Sequence, residues 1–179
     1  MNVSQIELSL TPALYDWRTI KERHTTVAVD ILRATTAICA AFFAGAKEIV
    51  PLDSLEPLEA YHAQGYLRAA ERGGKKIGDA EYGNSPTEYL SSNLHGKRMA
   101  YSTTNGTVSI LRGSDAERTL VGCFANINTL THLLIDKPRT WSSFAVAGKT
   151  TSLLKTPSLP EPFVADSSTA ANTTAKTMP

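Results

Sequence analysis

The stretch from residue 25 to residue 46 constrains the fold of this 179-residue chain more than any other. It opens with five apolar or β-branched residues, a run that is typical of a buried strand. The charged residues Asp30 and Arg33 follow at once. Residues 34–44 carry no charge, which predicts a helix that is buried on every side and ends at Gly45.

Asp30 and Arg33 lie where charge is costly, between a buried strand and a buried helix. Ligands of open α/β sheets bind at the carboxyl ends of the strands, so the two residues are candidates for a functional site. A purely structural alternative fits them equally well, with Asp30 capping the helix and Arg33 pairing with it. These two residues alone leave both alternatives open.

Strands and helices alternate along the rest of the chain. The buried strand Glu48–Leu52 follows the helix directly, which predicts a βαβ unit whose two strands pair in parallel. Further strands are expected at residues 6–10, 66–70, 98–102 and 119–122. Further helices are expected at 54–62 and 125–135, with one more that starts at residue 86 and one that ends at residue 111. The order predicts a three-layer α/β/α sandwich with a largely parallel or mixed sheet.

Four polar loops follow predicted strands. They are Asp30-Ile31-Leu32-Arg33, Glu71-Arg72-Gly73-Gly74, Gly83-Asn84-Ser85-Pro86 and Thr103-Thr104-Asn105-Gly106-Thr107. In a largely parallel sheet, several of these loops lie along one edge. Arginine forks and helix N-termini bind phosphate oxygens, and acids beside a phosphate need a hard cation such as Mg²⁺. The loops therefore indicate a site for a phosphorylated anion.

Each loop taken singly also has an ordinary structural interpretation. Gly73-Gly74 and Asn105-Gly106 are common turn dipeptides, and Ser85-Pro86 is a common helix start. The functional interpretation depends on all four loops together.

Composition excludes several classes of protein. A net charge of +1 gives no reason to expect a nucleic-acid or membrane partner. A cytoplasmic protein is expected, since neither a signal peptide nor an apolar run of membrane length occurs. Cys39 and Cys123 are expected to be reduced core thiols, not metal ligands or a disulfide. The four histidines are scattered and are expected at the surface or in loops. The phosphate-binding patterns of P-loop and dinucleotide-binding proteins do not occur.

Five motifs occur in order: V-D-I-L-R-A-T-T, E-R-G-G, G-N-S-P, T-T-N-G-T and G-C-F-A-N. Together they resemble the 2-phosphosulfolactate phosphatase family over roughly residues 3–138. The resemblance implies a three-layer α/β fold and Mg²⁺-dependent hydrolysis of 2-phospho-3-sulfolactate to 3-sulfolactate and phosphate, a step of coenzyme M biosynthesis. In bacteria without coenzyme M, the resemblance leaves the substrate open.

The loops and the resemblance together give each candidate residue a role. Asp30 and Glu71 are assigned to the metal or to orienting the attacking water, and Arg33 is the third catalytic candidate. The substrate-binding candidates are Arg72, Gly73, Asn84, Ser85, Thr103, Thr104, Asn105 and Gly106. The alternative function is that of a non-catalytic anion-binding fragment. Self-association is left open.

Composition changes after residue 139. Residues 140–179 contain 8 Thr, 6 Ser, 6 Ala and 4 Pro, which is 24 of 40 residues. This predicts a phosphatase-like domain at 1–139 that is incomplete, because the C-terminal part of its fold is truncated or irregular. Residues 140–179 are predicted to form a low-complexity tail. The resemblance ends at the same point, because the family continues with an apolar strand, a Cys/Gly turn and an L-E-D stretch.

A shift of reading frame would explain the change. One choice of synonymous codons for Trp141–Phe163, read from the last base of the Trp141 codon, encodes V-I-L-C-S-G-W-K-D-N-F-S-L-E-D-T-L-F-A-G-A-F. That text resembles the family continuation. We therefore hypothesise that the segment Thr140–Pro162 is translated out of frame.

Overall fold

A computed structural model describes residues 6–15, 24–136, 140–145 and 165–166. Its strands are β1 (Ile6–Ser9), β2 (His24–Val29), β3 (Glu48–Leu52), β4 (Leu67–Arg72), β5 (Lys75–Lys76), β6 (Arg98–Ser102), β7 (Arg118–Gly122), β8 (Thr140–Ala145) and β9 (Ala165–Asp166). Its helices are α1 (Ala34–Phe43), α2 (Leu58–Ala63), α3 (Pro86–Leu90), α4 (Gly106–Arg112) and α5 (Ile127–Asp136), with 3₁₀ helices at Pro12–Leu14, Gly113–Asp115 and Phe124–Asn126. Within these ranges, no helix is long and apolar enough to cross a membrane.

The strands form two sheets. The first has the order β1-β8-β2-β7-β9 and the second has the order β3-β6-β4-β5. All neighbouring strands run parallel except β9 beside β7 and β5 beside β4. Helices interleave with these strands along the chain. The predicted α/β fold class with largely parallel or mixed pairing is therefore confirmed.

Helix α1 lies between the two sheets, which explains why its sequence is apolar on every side. Six of its ten residues are buried. The apolar cluster that contains five of them includes Ala28 and Val121 of the first sheet and Ile49, Met99 and Tyr101 of the second. Packing against both sheets favours apolar side chains over most of the helix, whereas Phe43 at its end is exposed.

The predicted pairing of the strands on either side of α1 is wrong. Strand β2 pairs with β7 and β8, whereas β3 pairs with β6 in the other sheet. Helix α1 therefore carries the chain from one sheet to the other and does not complete a βαβ unit. The local sequence pattern predicts a strand, a helix and a strand. Which strand each of them pairs with depends on packing against segments that are far away in the sequence.

The chain after residue 139 also differs from the prediction, over the part that is described. Residues Thr140–Ala145 form β8, which pairs with β1 on one side and with β2 on the other. This segment is thus a strand inside the first sheet. Its composition does not prevent this, because the hydrogen bonds of a sheet are made by the backbone and need no particular side chains. The rest of the predicted tail, apart from β9, lies outside the described residues.

One histidine departs from the expectation that all four are surface or loop residues. His24 is buried at the start of β2, and its Nε2 lies 2.9 Å from the hydroxyl of Tyr15. The same hydroxyl lies 2.8 Å from Oγ1 of Thr26. The other three histidines are exposed.

Candidate active site

The candidate loops converge from both sheets. Strands β4 and β6 are parallel neighbours with Ala70 opposite Ser102, so Glu71 near the end of β4 and Thr103 just after β6 lie at the same edge. Asp30 follows β2 in the first sheet, and its pKa is raised in part by the charge of Glu71. The candidate site thus lies between the carboxyl ends of two sheets and not along one edge of a single sheet.

Asp30 is a buried acid held at the start of α1. Its backbone N–H donates to Oγ1 of Thr35 at 3.0 Å, and its carboxylate accepts a hydrogen bond from the N–H of Ala34. Burial raises the pKa of Asp30 to about 6, and the charge of Glu71 adds to the rise. The Ala34 hydrogen bond and the charge of Arg33 act in the opposite direction. Asp30 therefore supports the helix start and also carries a proton affinity unusual for an acid.

Glu71 is equally buried and is held by two loops. Its Oε1 accepts hydrogen bonds from the N–H of Gly74 and from the Thr104 hydroxyl, the latter at 3.2 Å. Its Oε2 lies 3.4 Å from the N–H of Thr104. Gly73 and Gly74 have φ angles of 60° and 84°, a region that favours glycine, which lets the loop turn back over the carboxylate. The N–H of Gly73 in turn donates to Oγ1 of Thr104 at 3.3 Å.

The two arginines flank the acids without pairing with them. Arg33 donates from Nη2 to the carbonyl oxygen of Gly74 at 2.9 Å, which joins the loop after β2 to the loop after β4. Arg72 donates to the Glu71 carbonyl oxygen at 2.7 Å and to the Ser102 hydroxyl at 2.8 Å. Among the described residues, neither guanidinium forms an ion pair with a carboxylate. Two cations therefore lie beside the acids without being neutralised by them.

Helix α4 begins against α1 at this point. A Cβ added to Gly106 would overlap the side chain of Ala34 and would lie 3.1 Å from Oδ2 of Asp30. Thr103 and Thr107 exchange hydrogen bonds: each backbone N–H donates to the other's hydroxyl, at 3.0 and 3.1 Å. The Thr103 hydroxyl is therefore engaged at the start of α4, and Gly106 permits the close approach of the two helices.

Asn84 reaches the site through a tyrosine that the sequence analysis missed. The Tyr101 hydroxyl donates to Oδ1 of Asn84, and both side chains are buried. Burial raises the pKa of Tyr101, and the charges of Asp30 and Glu71 contribute to the rise. Tyr101 is the penultimate residue of β6. The rule that ligands bind at the carboxyl ends of strands, which selected the loop after β6, could therefore also have selected Tyr101.

Two further candidates have other settings. Ser85 begins α3 as predicted, and its hydroxyl lies 2.9 Å from that of Thr87. Asn105 precedes α4 and is half-buried. Roles for the candidate residues in substrate binding stay predictions.

The two acids suit a cation whose coordination shell is completed by water and substrate oxygens. The described part of the chain contains no group of three or more His, Cys, Asp or Glu side chains placed to hold a metal ion. Asp30 and Glu71 would therefore be the protein's ligands. Mg²⁺ commonly binds one or two carboxylates and completes its shell with water and substrate oxygens.

Taken together, these features describe an open α/β protein with two buried acids beside two arginines that, among the described residues, pair with no carboxylate. The chain belongs to the 2-phosphosulpholactate phosphatase family, whose sequence profile matches residues 10–154. The resemblance predicted from five motifs is thereby confirmed. The match also extends past residue 138, where the prediction placed its end.

Three curated relatives illustrate the similarity, each named a probable 2-phosphosulfolactate phosphatase. The one from Caldanaerobacter subterraneus subsp. tengcongensis is 35% identical over 117 residues, covering 63% of this chain and 48% of the relative. The one from Gloeothece citriformis is 38% identical over 115 residues, covering 62% and 48%. The one from Microcystis aeruginosa is 32% identical over 137 residues, covering 74% and 56%. The chain thus spans about half the length of the curated relatives it matches.

Proposed function

We propose that the site hydrolyses a phosphate monoester of a small organic acid, with 2-phospho-3-sulfolactate as substrate and 3-sulfolactate and phosphate as products. The observation that carries this proposal is the buried pair Asp30 and Glu71, flanked by the guanidinium groups of Arg33 and Arg72. Phosphoryl transfer depends mainly on positioning and charge neutralisation, which these four side chains could supply. Family membership supports the choice of substrate.

Asp30 and Glu71 are the proposed Mg²⁺ ligands. Each carboxylate is buried, and the charge of Glu71 helps to raise the pKa of Asp30, so the two negative charges are costly together. A divalent cation between them would offset that cost. When bound, Mg²⁺ would supply positive charge to the transferring phosphoryl group.

The proposed roles of the acids follow from their surroundings. Burial and the charge of Glu71 raise the pKa of Asp30 in the metal-free site, and a bound cation would keep this carboxylate ionised, either as a ligand or to orient the attacking water. Glu71 is fixed by hydrogen bonds from Gly74 and Thr104, which suits a carboxylate that positions a ligand and does not move.

The proposed roles of the arginines follow from their geometry. Arg33 and Arg72 each use part of the guanidinium to bind the protein, which fixes the plane of the fork. A fork fixed in this way binds phosphate, sulfonate or carboxylate oxygens in bidentate fashion. A substrate that carries all three groups would use both cations.

Phosphate release from 2-phospho-3-sulfolactate tests the proposal. We expect release with Mg²⁺, none after exhaustive chelation, and recovery when Mg²⁺ is restored. Glu71→Gln should abolish release, whereas Arg98→Lys, a change at an arginine bonded to Gln64 and Tyr66, should leave it intact. Undiminished release after chelation would refute the assigned metal, and no release under any condition would refute the activity.

A second function is favoured by one observation, the change of composition after residue 139. A chain of this kind could bind anions in the same loops without turnover. Calorimetric titration with inorganic phosphate and with 2-phospho-3-sulfolactate separates the alternatives. Binding that is lost in Arg33→Ala, without phosphate release, would favour the anion-binding fragment.

A further inference from the structure

Two cysteines that are remote in sequence meet beside the candidate site. Cys39 lies on α1, and Cys123 is the residue directly after β7. Cys39 packs against a buried apolar cluster that contains Cys123, and α1 contacts the 3₁₀ helix Phe124–Asn126. Each of the two side chains shifts the pKa of the other, upward at Cys39 and downward at Cys123. The two cysteines are therefore neighbours in the folded chain.

The surroundings of the pair make the two thiols unequal. The pKa of Cys123 lies below its ordinary value, chiefly because of its interaction with Cys39. The N–H of Ala125 also lowers this pKa, while burial acts in the opposite direction. The pKa of Cys39 is raised by its interaction with Cys123 and by burial. Cys123 is thus the better nucleophile and Cys39 a protonated neighbour.

We propose that Cys39 and Cys123 form a reversible disulfide when the protein meets a peroxide. The proposal departs from the expectation of reduced core thiols, because the sequence did not show that the two cysteines are neighbours. A disulfide needs the sulfur atoms about 2.05 Å apart, and the packing of Cys39 against the cluster that contains Cys123 brings the two side chains close enough for a local movement to join them.

The chemistry takes two steps. The Cys123 thiolate attacks one oxygen of hydrogen peroxide, the O–O bond breaks, and hydroxide leaves and is protonated to water, which gives a sulfenic acid. The Cys39 sulfur then loses its proton and attacks the Cys123 sulfur. The S–S bond forms, the S–O bond breaks and a second water leaves. Two thiols are oxidised to one disulfide, one peroxide is reduced to two waters, and an added dithiol reverses the change.

The position of the pair links this bond to the candidate site. Gly122 lies opposite Val29 in the parallel pairing of β7 with β2, so Cys123 and Asp30 follow adjacent strands at the same edge. Helix α1 begins just after Asp30 and carries Cys39. A disulfide would tie the helix that starts at the site to the neighbouring strand end. This assignment stands whether or not the chain hydrolyses a phosphate ester.

The full chain treated with hydrogen peroxide tests the proposal. After alkylation, the intact mass should be lower by two hydrogen atoms, with both thiols protected from the alkylating agent. Peptide mapping should find Cys39 joined to Cys123 within a monomer, and dithiothreitol should restore both thiols.

Matched serine variants identify the roles. Cys39→Ser should stop at the sulfenic acid on Cys123, whereas Cys123→Ser should leave Cys39 largely unoxidised at the same peroxide dose. The wild-type measurement decides the proposal even where a variant fails to fold. Two thiols that remain alkylatable, oxidation to sulfinic acids without a link, or disulfides only between chains would each overturn it.

Discussion

Replacing Asp30 by asparagine should stabilise the metal-free chain at neutral pH and abolish its proposed activity. The substitution keeps the size of the side chain and an oxygen that can accept the N–H of Ala34. It removes a negative charge that is buried and lies near the charge of Glu71. A group tuned for function is thus predicted to be a cost to folding.

The magnitude follows from the proton affinity of Asp30. Its pKa is about 6 in the folded chain against an ordinary value of 3.8. One pKa unit corresponds to about 1.36 kcal/mol, so the ionised side chain costs about 3 kcal/mol once the pH exceeds both values. The folded chain binds this proton more tightly than the unfolded chain does. The free energy of unfolding of the wild type should therefore fall as the pH rises from about 4 to about 6, and Asp30→Asn should lack that fall.

Urea unfolding of both chains across this pH range, with chelator present, is the assay. We expect the variant's advantage to grow by about 2–3 kcal/mol between pH 4 and pH 7, because the wild-type carboxyl becomes ionised over that range. Imperfect hydrogen bonding of the buried amide would lower the advantage equally at every pH. Asp53→Asn, at an exposed position, is the matched control and should show no such growth. A difference between Asp30→Asn and wild type that is constant over the whole pH range would contradict this account.

Metal provides an independent check on the same variant. Adding Mg²⁺ should raise the free energy of unfolding of the wild type, by about 2.7 kcal/mol at a hundredfold excess over its Kd. The rise should be lost in Asp30→Asn, since one of the two proposed ligands is gone. An equal rise in both chains would mean that Mg²⁺ binds elsewhere.

Three further predictions are specific to other parts of the chain. Arg33→Lys should lower kcat/KM about tenfold or more, because the charge is kept but the guanidinium fork is lost, whereas the control Arg98→Lys should not lower it. A kcat/KM of Arg33→Lys equal to that of the wild type would show that Arg33 does not bind the substrate. Gly106→Ala should lower the free energy of unfolding by about 1–3 kcal/mol in urea, because the added methyl overlaps Ala34; an unchanged midpoint would contradict the tight helix contact. The gene should encode the L-E-D stretch in the alternative frame across Trp141–Phe163, and a nucleotide sequence without it would end the reading-frame hypothesis.

The local elements and the family could be predicted from the amino-acid sequence alone. β-branched runs and the uncharged stretch after Arg33 predicted β2 and α1, and Ser85-Pro86 predicted the start of α3. These features depend on each residue's own preference for burial and backbone conformation, which is readable without knowing its partners. Five ordered motifs likewise identified the family that the profile match confirms.

The contacts between these elements could not be predicted from the sequence and are seen only in the folded chain. The tertiary structure divided the strands between two sheets and brought Asp30 close enough to Glu71 for one charge to raise the other's pKa. It also placed Cys39 against Cys123. Periodicity shows that a residue is buried but not what lies opposite it, because that choice depends on packing between segments far apart in the chain. The proton affinity of an acid or a thiol is set by those neighbours, so it emerges only when the fold is complete.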